Sequence, residues 1–232
     1  MAKKPKPHEL RSRDKRIAYH LERIEKPRQI LPGRHLFVTE GTKTEPHYLE
    51  ELINLISERH GAAVKKQIQI IGEGDNTLNL VRKAESYQHN AADDFQHVWI
   101  IYDKDDFPSD AFDNTISRCN ALNKRFQSEG RDLTFHALWS NECFELWLLL
   151  HFCYMDSNIS RDEYREKLSE YLGRHYEKAD RSVFRDLLPL MEDALRNAHK
   201  LMQSYDSSAP ASQKAPCTAF YELIEALRSY IQ

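Results

Sequence analysis

The run Val98-Trp99-Ile100-Ile101-Tyr102 is apolar for five residues and then stops on Asp103-Lys104-Asp105-Asp106. A short, unbroken apolar run suits a strand buried on both faces, as in a parallel sheet covered by helices. The rest of the chain supports that setting. Residues 35–39, 66–71, 97–102 and 133–138 read as strands. Helical patterns over about 46–60, 77–89 and 110–129 alternate with them. This alternation predicts an α/β fold, a Rossmann-like parallel sheet of about four strands flanked by helices. From Cys143 onward the pattern becomes helical. Ser160-Arg161-Asp162-Glu163 fits a capping box for a helix ending near Gly173, and another helix begins or kinks at Pro189 and runs to about Tyr205. Ser207 to Pro216 is a Ser/Ala/Pro linker, and a last helix is expected over 218–231. The expected organisation is a basic arm over 1–33, an α/β domain over 34–142 and a helical extension packed on it over 143–232.

Charge is unevenly distributed. The first 34 residues hold 11 Lys or Arg against 4 Asp or Glu, and the remaining 198 hold 22 against 32. The arm, with one short basic helix expected near 11–24, suits contact with an anion, either nucleic acid or an acidic partner; a solubilising tail fits equally well. The acidic body argues against broad, unaided binding of duplex nucleic acid. The four cysteines show no metal or disulfide spacing. No leader and no membrane-spanning run is visible, so the expectation is a cytoplasmic protein away from membranes.

In an α/β sheet, ligands collect beyond the carboxyl ends of the strands. Two acidic clusters fall at such ends. Glu40 follows the first strand and precedes Gly41, and Asp103 and Asp105 follow the third. In an extended chain, residues two apart point to one side, so Asp103 and Asp105 can face one ion. Oxygen-only ligands suit Mg²⁺ or Mn²⁺. The plainer readings are that these acids cap the next turn or face solvent. A triad of Glu40, Asp103 and Asp105 fits metal-assisted phosphoryl transfer, with the acids as both metal ligands and catalytic groups.

Further candidates are weaker. Glu45, just inside the first helix beside Pro46, can hold metal or merely sit where an acid suits a helix start. Glu145 interrupts an apolar stretch, so it is either functional or in a buried ion pair. Lys43 can approach a substrate phosphate or remain a surface residue. His151, Trp139 and Trp147 read as core residues, and Gly72 and Gly74 as a turn.

Longer phrases carry a resemblance. They are Thr39-Glu40-Gly41-Thr42-Lys43-Thr44-Glu45-Pro46-His47-Tyr48, Tyr102-Asp103-Lys104-Asp105, and Ser140-Asn141-Glu142-Cys143-Phe144-Glu145-Leu146-Trp147-Leu148-Leu149-Leu150-His151-Phe152. The core pair resembles the TOPRIM domain of topoisomerases, primases and OLD-type nucleases. The whole set is similar to the RloB-like family of TOPRIM proteins. That resemblance implies a TOPRIM-like fold and a Mg²⁺- or Mn²⁺-dependent nuclease, cutting DNA or RNA, of the abortive-infection kind in anti-phage defence. It also implies an AAA-type or SMC-like ATPase partner, and the chain has no P-loop of its own. Glu40, Asp103 and Asp105 carry over as the metal-binding and catalytic acids.

Two other readings stay open. One is a TOPRIM-like subunit that keeps its acids but serves an ATPase only as a binding or scaffold subunit. The other, resting on Asp103-Lys104-Asp105 alone, is a metal-dependent glycosyl- or nucleotidyltransferase. Whether the chain forms a homo-oligomer is open as well.

Overall fold

The computed structural model describes residues 30–74, 77–90, 95–105 and 108–232. The expected basic helix near 11–24 lies outside these residues. The first strand, β1 (His35–Thr39), leads into helix α1 (Thr44–His60), and strand β2 (Ile68–Gly72) follows. Helix α2 (Thr77–Asn90), strand β3 (His97–Asp103), helix α3 (Ser109–Ser128) and strand β4 (Thr134–Asn141) continue the alternation. Sheet order is β2-β1-β3-β4, all parallel. Right-handed crossovers put α1 on the face opposite α2 and α3, because the chain moves outward from β1 to β2 and then back across β1 to β3.

The burial patterns explain why these segments form strands. Every residue of β1 is buried, as are six of the seven in β3. In contrast β2, at the sheet edge, is half-exposed. On one face, Tyr102 meets Phe112 of α3 edge-on at 5.2 Å between ring centroids, and Phe126 of α3 stacks on Phe135 of β4. At the amino ends of the strands, His35, His97 and His136 stack with Trp99, whose ring lies 3.8 Å from that of His136.

Beyond β4 come α4 (Glu145–Leu149), α5 (Arg161–Leu172), α6 (Val183–Leu187) and α7 (Met191–Gln203). The capping box at Ser160 and Glu163 forms as expected, and Gly173 ends α5 in the left-handed conformation that an L side chain resists. The break at Pro189 is a short 3₁₀ turn between α6 and α7.

The chain then departs from the expected pattern. Cys217–Thr218 forms a fifth strand, β5, antiparallel to β4, and the last helix, α8, is Tyr221–Ile231. Thr218 is therefore a strand residue, not the start of a helix. Ser140 Oγ and Thr218 Oγ1 lie 3.0 Å apart, and Thr218 Oγ1 also donates to Trp139 O. The segment over 207–216 is not a bare linker either. Asn141 Nδ2 donates to the carbonyls of Ala211 and Ser212, and the Ser212 hydroxyl bonds Asp113 of α3. The 143–232 segment shares one hydrophobic core with the sheet. Tyr48 of α1 meets Phe144, Phe184 and Phe220 edge-on, and Trp147 and Trp139 are buried core residues. No helix among the described residues is long and apolar enough to cross a membrane.

Candidate active site

The order β2-β1-β3 reverses direction between β1 and β3. At such a switch point the crossovers diverge to opposite faces and leave a crevice beyond the carboxyl ends of the strands. Glu40 stands at the end of β1, and its N–H continues the ladder to Ile101 O at 2.9 Å. Asp103 is the last residue of β3. Asp103 N donates to Glu40 Oε2 at 3.2 Å, so the two strand ends are joined through a side chain. The Thr39 hydroxyl donates to Gly41 O and shapes the turn that follows.

A cavity of about 430 Å³ opens here. Glu40, Lys43, Glu45, Asp103 and Asp105 all line it, together with Arg161, Lys178 and Gly74. Five of the six expected site residues are thus brought together. The sixth, Glu145, does not line the cavity. It is 3 % exposed, accepts from the Tyr176 hydroxyl at 3.4 Å and lies 3.9 Å from Nζ of the half-exposed Lys178, so its carboxylate is buried behind the acid cluster. His151 is a core histidine, its Nδ1 bonded to Trp147 O.

One local expectation is replaced. Asp103 and Asp105 do not share a side by strand alternation, because the strand ends at Asp103 and Asp105 has φ +44°. The turn is pinned by Lys104 N to Ser140 O and Asp105 N to Glu142 O. Asp105 reaches the cavity through this turn. Lys43 occupies the N-cap position of α1, without a side-chain cap bond. Glu45 sits in the first turn and is 6 % exposed. Gly41 is needed beside it, since a Cβ at residue 41 would overlap the Glu45 carboxylate.

Crowding acids out of water has a clear electrostatic signature. Burial, the main cause, together with the charge of Glu45, pushes the Glu40 carboxyl up to about 7. The bond from Asp103 N and the charge of Arg161 oppose that rise. Asp103, 9 % exposed, is held well above the usual carboxylate range by burial and then by Glu45, Glu145 and Glu40. Glu45 is raised by burial and by Glu145. Asp103 Oδ2 accepts from Phe144 N at 3.1 Å, whereas Oδ1 is buried without a hydrogen-bond partner.

These residues fit a hard divalent cation in their chemistry. The donors are all oxygens, they repel one another, and the buried Asp103 Oδ1 lacks a hydrogen-bond partner. Among the described residues, no three His, Cys, Asp or Glu side chains are grouped so as to hold an ion together as they stand. Glu40 Oε2 accepts from the Asp103 amide, and Asp105 is paired with Arg161.

Arg161 and Lys178 were not apparent from sequence. Arg161 sits inside a capping-box phrase that accounts for its neighbours, and Lys178 lies between helices with no motif around it. Only the packing of the extension brings both to the cavity.

A family model described as RloB-like protein matches residues 35–227. No curated protein and no solved structure matches the chain.

Proposed function

From its membership of the RloB-like family, to which this chain belongs, we propose that the protein is a metal-dependent nuclease. It hydrolyses phosphodiester bonds of DNA or RNA, as the effector of an anti-phage defence system with an ATPase partner. One observation carries the chemical part of this reading. Glu40 and Asp103 meet at the sheet's switch point, in a cavity lined by further acids, with Asp103 Oδ1 buried and unpartnered.

Glu40, Asp103 and Asp105 are the residues that would hold Mg²⁺ or Mn²⁺, with Glu45 next to them. When bound, such an ion supplies charge neutralisation at the phosphate and a more acidic water. The chain's own residues do the rest. A carboxylate of this cluster that is not fully engaged with the ion can take a proton from water. Lys43 and Lys178 on the cavity wall offer positive charge to phosphate oxygens.

The test is incubation of the full chain with labelled DNA and RNA in Mg²⁺ or Mn²⁺, alone and with its ATPase partner. Glu40→Gln and Asp103→Asn are expected to abolish cleavage. Undiminished cleavage by both variants removes these acids from the mechanism.

A second reading is favoured by a different observation. Asp105 is paired with Arg161, as in a site retained for structure. A binding or scaffold subunit would co-purify with the ATPase, bind no divalent ion and cut nothing under any metal.

A further inference from the structure

Asp105 has a partner supplied from a distant part of the chain. Its N–H donates to Glu142 O, and that of Lys104 beside it donates to Ser140 O, which together shape the turn after β3. Its partner, Arg161, is the first residue of α5. That helix start is fixed in turn. Ser160 N donates to Glu163 Oε2 at 2.8 Å, and Glu163 N donates back to Ser160 Oγ at 3.3 Å. Tyr164 and Leu168, both fully buried, anchor the same helix in the core. The Arg161 and Asp105 side chains are only 33 % and 23 % exposed, so water screens their attraction less than at an open surface.

Arg161 also acts on the neighbouring acids. Its charge opposes the upward shift of Glu40, so the guanidinium serves the acid cluster as well as Asp105. A divalent ion drawn to Glu40 and Asp103 arrives beside that fixed positive charge. Two cations on one pinned carboxylate repel each other. By linkage, whatever binding the ion costs Arg161, Arg161 costs the ion.

We propose that Arg161 is a built-in counter-cation that competes with the divalent ion for Asp105. The helical extension thereby sets the metal affinity of the acidic cavity, and ion binding frees the Arg161 side chain from Asp105. The released guanidinium remains on the cavity wall, where a phosphate is the partner its planar fork suits. This inference rests on the metal-dependent reading above.

The test is Mn²⁺ binding to the full chain, followed by calorimetry and by the electron paramagnetic resonance signal of free Mn²⁺. Arg161→Gln is expected to bind Mn²⁺ about three- to tenfold more tightly than the unaltered chain, the scale of a half-buried ion pair. Arg161→Lys, which keeps the charge, should stay close to the unaltered value. Arg161→Met, which keeps the apolar stem, serves if the Gln variant does not fold, with the same gain expected. Mn²⁺ bound by all variants with unchanged or lower affinity overturns the role of Arg161 and leaves the metal site standing. No Mn²⁺ bound by any variant overturns both, and is told apart by that blank result in the unaltered chain.

Discussion

Asp103 N donates to Glu40 Oε2 at 3.2 Å across 63 positions of sequence, which ties the ends of β1 and β3 together by a carboxylate. A carboxylate that bridges two strands at the switch point of a sheet does two things. It extends the link between the strands, and it lines the cavity. The cost is a carboxyl held up at about 7 by burial.

That cost is measurable. Glu40→Gln keeps an acceptor for Asp103 N and removes the charge. A group raised from 4.5 to about 7 contributes stability that is whole below pH 4.5 and lost as pH rises through 7. The Gln variant should therefore gain in melting temperature relative to the unaltered chain between pH 4.5 and 7, then hold a constant lead. If the proposed nuclease reading holds, cleavage by the same variant should fall about 10²-fold or more. A lead in melting temperature that does not vary with pH would sink the electrostatic account.

The histidine stack predicts the opposite slope. Burial holds His136 down at about 4 against an ordinary 6.5, with the charge of His97 adding to it. A group with a lowered pKa contributes stability that is full above pH 6.5 and lost as pH falls towards 4. His136→Phe keeps a ring over Trp99 and removes the titration. Its stability relative to the unaltered chain should climb as pH drops from 6.5 to 4, as read by urea unfolding at fixed temperature. Parallel curves would count against it.

Gly41 and Glu45 are coupled by space. Gly41→Ala puts a methyl group where the Glu45 carboxylate lies, and overpacking of this kind costs about 1–3 kcal/mol. In a Glu45→Ala background the same change should cost far less. A double-mutant cycle read by chemical denaturation checks this, and additive effects would mean that the two side chains do not meet.

Asn141 holds the extension to the sheet. Its Nδ2 serves two carbonyls, those of Ala211 and Ser212. Asn141→Ala leaves both without this donor and should cost about 1–3 kcal/mol in unfolding free energy. Hydrogen exchange should speed up over residues 207–216 more than in α2 and α3. Uniform exchange across the chain would mean that the segment is held by other contacts.

The parallel strands, the capping box at Ser160 and the identity of the clustered acids were legible in the chain itself. Each depends on neighbours within a few residues, through apolar periodicity or a side chain returning to its own backbone. The fifth strand was not legible, because two residues carry no periodicity and Thr218 pairs with Ser140, 78 positions away. The turn that carries Asp105 to the cavity also lay beyond local pattern, since it is pinned by Ser140 and Glu142 at the end of β4. So did the arrival of Arg161 and Lys178, which depends on where the extension docks. Sequence by itself determined which carboxylates stand at the strand ends. Only the folded chain decided which of them share a cavity and which cations share it with them, since charges distant in sequence interact through the space that packing leaves between them.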